Sequence, residues 1–154
     1  MISLLVENNA GVLSRIAGLF TRRGYNIDSL TVGETQNPRI SRMTIVVTCD
    51  ASTFEQIKKQ LNKLIEIIKI TELKPDNALM RELILVKLKV SDDDRTKLIE
   101  ISNIFRSKII DVTPGTMTIE MTGDDFKIGG FLEMLRPFGI IELIRTGFCG
   151  IERG

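Results

Sequence analysis

The chain has 154 residues, 43% of them hydrophobic and 27% charged, enough apolar material for a core and too much for a disordered chain. Its 21 basic and 20 acidic residues leave a net charge of +1, so composition makes no case for nucleic acid or an anionic membrane as a partner. There is no histidine, which excludes Ser–His triads, phosphohistidine chemistry and the common zinc hydrolase sites.

The apolar run at 4–6 reads as a first strand. Val12, Leu13, Ile16, Leu19 and Phe20 recur at helical spacing, which predicts a helix over 11–23 that Gly24 stops. A second strand is expected over 25–32, then a loop over 33–40 marked by Asn37-Pro38, then a β-branched third strand over 42–49. Ser52 and Glu55 have capping-box spacing, opening a second helix with Phe54, Ile57, Leu61, Leu64 and Ile65 on one face. Residues 67–73 read as a fourth strand, and Lys74-Pro75-Asp76-Asn77 as a linker.

The second half repeats this order. A strand over 82–90 leads to Ser91 and three aspartates, Asp92, Asp93 and Asp94, which suit a helix start. Leu98, Ile101, Ile104 and Phe105 mark that third helix. Strands over 109–112 and 116–122 flank the turn Thr113-Pro114-Gly115, the second with Met117, Ile119 and Met121 on one face. Gly123-Asp124-Asp125 opens a fourth helix with Phe131, Leu132 and Leu135 facing inward. Gly129 and Gly130 each cost that helix about 1 kcal/mol relative to alanine, so it either approaches another backbone there or starts late. Pro137-Phe138-Gly139 ends it before a last strand over 140–144.

The pattern is βαββαβ twice. The expected class is α+β, two ferredoxin-like βαββαβ domains in tandem over 1–74 and 78–154. Each is a four-stranded antiparallel sheet with both helices on one face, as right-handed crossovers require. On the third strand Met43, Ile45 and Val47 alternate with Thr44, Val46 and Thr48, so neither face is cleanly polar. A domain this small buries only about 60% of its unfolded surface, so a second chain is expected over the free face or edge. RNA-binding domains of the same topology stack bases on aromatics of the central strands. Residues 4–6 and 42–49 contain no aromatic, which argues against RNA.

No apolar run is long enough to span a membrane. Met1 is followed at once by strand-like residues and Glu7, which reads as a cytoplasmic chain without a signal peptide. Cys49 and Cys149 lie in or near apolar segments and read as reduced, buried thiols.

The strongest candidate site is the loop Asn8-Asn9-Ala10-Gly11 between the first strand and first helix. A helix start presents unpaired N–H groups and about half a positive charge, which suit a small anion such as a carboxylate. Gly11 has no Cβ to block approach, Asn8 can accept from an ammonium, and Asn26 starts the next expected strand close by. On residue type alone, Asn8 or Asn9 serves equally as a helix cap and Gly11 as a turn residue. The corresponding start in the second half is acidic and would repel a carboxylate.

Residues LLVENNAGVLSRIAGLFTRRGYNIDSLTVGET followed by SRMTIVV resemble the ACT domain of the acetolactate (acetohydroxyacid) synthase small-subunit family. ELILVKLKV and FRSKIIDVTPGTMTIEMTGDDFKIGGFLEMLRPFGIIELIRTG extend the resemblance over essentially the whole chain. It implies a regulatory subunit with no catalytic residues and no metal or cofactor of its own. Thiamine diphosphate, Mg²⁺ and FAD belong, on this resemblance, to a catalytic large subunit. The small subunit binds that partner, raises its activity and confers feedback inhibition by valine or a related branched-chain amino acid. The effector lies between the ACT domains of a homodimer. By match to the family motif, Asn8, Gly11 and Asn26 would hold it, with Val12, Leu13 and Ile27 as neighbours. The alternative is a stand-alone ACT-type amino-acid sensor acting on another enzyme or on transcription. Phe126 and Cys149-Gly150 depart from the family pattern, and the start close to the first strand leaves that strand open to fraying.

Overall fold

A computed structural model describes all 154 residues. The elements are β1 (Ile2–Glu7), α1 (Val12–Arg22), β2 (Ser29–Glu34), β3 (Ile40–Val46), α2 (Ala51–Asn62), β4 (Ile67–Glu72), β5 (Ala78–Lys89), α3 (Asp92–Ile104), β6 (Lys108–Val112), β7 (Thr116–Gly123), α4 (Asp125–Leu135), β8 (Ile140–Arg145) and β9 (Cys149–Glu152). A single 3-10 turn, Arg136–Phe138, follows α4. The expected βαββαβ order thus occurs twice. The chain divides into two compact units, Met1–Leu79 with Phe148–Gly154, and Met80–Gly147.

In the first unit the antiparallel sheet has the order β2-β3-β1-β4. Alternate residues of β1 (Ile2, Leu4 and Val6) join Met43 and Ile45 of β3 in the core. Against them pack Val12, Ile16, Leu19 and Phe20 of α1 and Ile57 and Leu61 of α2. Each such side chain contributes about 1.5–3 kcal/mol through burial. The 3.6-residue spacing of α1 and the two-residue spacing of β1 therefore meet on one sheet face. β1 is not frayed: Leu4 is fully buried, and the Leu73 amide donates to the Met1 carbonyl at 2.9 Å.

The second unit repeats the arrangement with order β6-β7-β5-β8. Ile84, Val86 and Leu88 of β5 and Met117, Ile119 and Met121 of β7 face Leu98, Ile128, Phe131 and Leu135 of the two helices. Gly129 and Gly130 both lie inside α4, which does not start late. Nor does α4 meet another backbone at Gly130: a Cβ there would stand 3.7 Å from the Phe105 ring, whose centroid is 5.2 Å from that of Phe131.

Several local expectations are corrected. β2 begins at Ser29, not at residue 25, because the preceding segment is used to close α1. The Tyr25 amide donates to the Phe20 carbonyl at 3.0 Å and the two rings meet edge to face. The cap of α2 is Asp50, whose carboxylate accepts from the Thr53 amide at 2.7 Å, so the helix starts before the Ser52–Glu55 box. Ile65 is 90% exposed and lies beyond the helix. Both cysteines are exposed rather than buried, and neither is in a disulfide.

The largest departure is at the end of the chain. Residues 148–154, expected with the second domain, belong to the first unit. Phe148 donates its amide to Ser29 Oγ at 3.1 Å and accepts at its carbonyl from Thr31 Oγ1 at 3.2 Å. Arg153 donates its amide to the Asn77 carbonyl at 3.0 Å. Ser29 and Thr31 pair with Val46 and Thr44, on the sheet face away from the helices. The face expected to need a second chain is thus partly covered by the chain's own end.

Candidate functional site

The start of α1 is shaped by Gly11, the N-cap residue, at φ 87° and ψ −10°. This left-handed conformation costs other residues about 1–2 kcal/mol. An added Cβ would meet nothing within 4 Å, so the glycine serves its backbone angle and not a crowded contact. No side chain caps α1, and its first turn carries no acidic residue. Neither Asn8 nor Asn9 is therefore a helix cap. Amides at the start of a helix lack internal acceptors and point outward along its positive end.

The other helix starts differ. Asp50 caps α2, and Asp124 caps α4 by accepting from the Lys127 amide at 2.8 Å. α3 has Asp92, Asp93 and Asp94 in its first turn. Only at α1 is the positive helix end neither capped by a side chain nor offset by acidic residues in its first turn.

Asn8 is fixed from the other side. Its amide nitrogen donates to the Pro38 carbonyl at 2.8 Å and to Glu34 Oε1 at 3.3 Å, in the β2–β3 connection. Its own amide donates to the Arg39 carbonyl at 2.8 Å. The side-chain oxygen has no donor from the chain and remains available to a ligand's ammonium. Arg15, one turn into α1, forms an ion pair with Glu66. Nothing in the sequence marks Glu34 and Pro38 as partners of Asn8, because the 33–40 segment reads as a plain loop.

Leu13 is 44% exposed and presents apolar surface beside Gly11. Val12 is 4% exposed and belongs to the core, so only its backbone faces the loop. Asn26 and Ile27 are not brought to this point. They follow the C-cap of α1, Arg23, and an 11-residue helix is about 16 Å long. Asn26 is not on a strand; its amide donates to Asp28 Oδ1 at 2.8 Å. Thr48 Oγ1 donates to the other Asp28 oxygen at 2.7 Å, and these two hydrogen bonds, Thr48 first, hold the carboxyl below its ordinary pKa. Ile27 is half-buried against the first core. No group of three or more His, Cys, Asp or Glu side chains is arranged to hold a metal ion, and no helix is long and apolar enough to cross a membrane.

Residues 2–69 match the family model for the ACT domain of acetohydroxyacid synthase small subunits, and residues 81–154 match that for the small subunit of acetolactate synthase. A probable acetolactate synthase small subunit of Methanothermobacter thermautotrophicus is 53% identical, over 100% of this chain and 92% of its own. The acetolactate synthase small subunit of Mycolicibacterium smegmatis is 48% identical, over 99% of this chain and 90% of its own. The crystal structure of the small subunit from Thermotoga maritima superposes with a TM-score of 0.90 at 41% identity, over 99% and 96% of the two chains. Two sheets in βαββαβ order, the two matched family models and end-to-end similarity agree: the chain belongs to the small, regulatory subunits of acetolactate synthase, with an ACT domain at its N-terminal end.

Proposed function

We propose that the loop Asn8–Leu13 binds the carboxylate and ammonium of a branched-chain amino acid, valine first, as the feedback signal for acetolactate synthase. The observation that carries this reading is the left-handed, uncapped start at Gly11. Its amides suit a carboxylate, the free Asn8 oxygen suits an ammonium, and Leu13 offers apolar contact.

Asn26 and Ile27 join the site from a second copy of the chain. β2 is an edge strand, with Val32 47% exposed along it. Its Glu34 end lies beside Asn8 and its Ser29 end follows Asn26. Antiparallel pairing of β2 with its copy about a two-fold axis sets the Ser29 end of one chain beside the Glu34 end of the other. That brings the partner's loop to Gly11 and yields two equivalent sites.

Catalysis stays on the large subunit, with thiamine diphosphate, Mg²⁺ and FAD there, in the cytoplasm. The small subunit activates it, and valine reverses the activation by favouring one dimer geometry. Such coupling is typically about 1–3 kcal/mol, and it acts only if the two geometries contact the large subunit differently. The test is calorimetric titration of valine into the chain and into Asn8→Ala and Gly11→Asp, paired with activity of the reconstituted holoenzyme. Binding near the micromolar range by the wild type, lost in Gly11→Asp, is expected. Equal binding by all three chains refutes the site.

A further inference from the structure

On the sheet face away from the helices, the first unit has a cavity of about 240 Å³. Its lining combines Arg42, Lys69, Glu152 and the hydroxyls of Ser3 and Thr71 with the aliphatic Leu5, Leu73 and Ile151. All of these belong to the first unit, since Ile151 and Glu152 come from the returning segment.

The register explains the convergence. Leu5 of β1 pairs with Arg42 on one side and Lys69 on the other. Strands lie about 4.8 Å apart, so two like charges flank one leucine at about 10 Å between backbones, on one face. Ser3 stands two residues along β1 and pairs with Thr71. Half-buried Arg42 donates to Ser3 Oγ at 2.9 Å, and Ser3 is itself only 2% exposed. Neither Arg42 nor Lys69 has an ion-pair partner, although Glu152 lines the same cavity. Lys58, the half-buried cation of the unit's helices, differs: it is held by Glu55 and Glu72.

Two cations against one carboxylate leave the cavity one positive charge in excess. A singly negative ligand neutralises it, whereas a dianion overshoots. The space is below that of a drug-sized site, and one wall is aliphatic. We infer that this cavity is a second small-molecule site, taking a small aliphatic monocarboxylate. Its carboxylate lies between the Arg42 and Lys69 heads, with the Ser3 and Thr71 hydroxyls beside it. Its hydrocarbon body lies against Leu5, Leu73 and Ile151. Arginine's fork suits a carboxylate bidentately, and lysine adds a movable point charge. The site is separate from the α1 start, which lies at the helix side of the same unit.

The test uses isobutyrate as probe on the full chain, with isobutyramide as its neutral isostere and inorganic phosphate as the dianionic control, all in buffer held well above the second pKa of phosphate and read by calorimetry and by thermal shift. Isobutyrate is expected to bind in the millimolar range and to raise the melting temperature, while the amide does neither and phosphate binds more weakly. Lys69→Gln, at an exposed position, should weaken isobutyrate about tenfold, and Arg42→Gln at least as much. Glu152→Gln should tighten it several-fold, because it removes the one repelling charge; a merely structural Glu152 would not do so. Absence of isobutyrate binding, binding unchanged in Lys69→Gln, or equal binding of the amide overturns the assignment. Phosphate binding more tightly than isobutyrate overturns the choice of a monocarboxylate. If Arg42→Gln fails to fold, Lys69→Gln and Glu152→Gln decide the matter.

Discussion

Gly11 and Asn26 stand at opposite ends of α1, one as its N-cap and the other beyond its C-cap, with about 16 Å of helix between them. One copy of the chain therefore cannot close both on a single amino acid. Two inactive variants should then repair each other. Gly11→Asp and Asn26→Ala chains, each unable to bind valine alone, are expected to regain about a quarter of the wild-type sites when co-refolded in equal amounts, because about half of the dimers are then mixed. The mixed dimer has one intact site and one doubly altered site. Stoichiometry from titration of the mixture measures this; no recovery would place both residues in one chain's site or in none.

Gly11→Ala separates conformation from contact. The new methyl group meets nothing, so the cost is the left-handed backbone alone, about 1–2 kcal/mol by urea denaturation. If the chain relieves that strain by turning the loop, the amides of α1 lose their aim. Valine affinity should then fall by more than the stability loss explains.

In the second unit Arg145 grips Glu82 through two hydrogen bonds, Nε to Oε1 at 2.7 Å and Nη2 to Oε2 at 3.1 Å. The Glu82 side chain is 2% exposed, and the pairing raises the arginine's pKa above its ordinary value. Arg145→Met leaves a buried carboxylate unpaired. A loss of about 2–3 kcal/mol is expected, reduced from that of a fully buried pair because Arg145 itself is 43% exposed. The exposed pair Lys87–Glu142 provides the contrast, and Lys87→Met should cost at most about 0.5 kcal/mol. Denaturation midpoints of the two variants give the comparison directly.

Asp50 and Asp28 predict the acid limb of stability. Both carboxyls are held below the ordinary 3.8, Asp50 chiefly by the Thr53 amide and Asp28 chiefly by the Thr48 hydroxyl. A depressed folded-state pKa means the stabilisation is complete above the unfolded value and fades as pH falls through the folded one. Stability should therefore hold down to about pH 4 and decline below it. In Asp50→Asn and Asp28→Asn the decline should be shallower and the neutral-pH stability lower. Urea midpoints taken from pH 7 to pH 3 test the sign. Asp28→Ala, which has no side-chain acceptor, should also release the Asn26 amide and weaken valine, a second readout that Asp50→Asn lacks.

The helices and the paired sheets were legible because their signals are local. The spacing of Val12, Ile16, Leu19 and Phe20 needs no knowledge of what they touch, and Met117, Ile119 and Met121 declare one strand face unaided. The loop at Gly11 was legible for the same reason. What failed depended on competition or distance. Tyr25 and Ile27 look like strand residues but are spent on closing α1 and packing the core. Asp50 reached the helix amides before Ser52 could, and only backbone geometry decides between such neighbours. β9 is four residues, CGIE, and its partner strand β5 begins at Ala78, far upstream, which no periodicity encodes.

The return of Phe148 to Ser29 and Thr31 also bears on the order in which the chain is made. The ACT sheet can form while synthesis is under way, but its far face is finished only once residues 148–154 have left the ribosome. Until then Arg42, Lys69 and the hydroxyls beside them stay open to solvent. A fragment stopped at Leu79 should thus fold as a sheet with two helices, yet behave as an unfinished one.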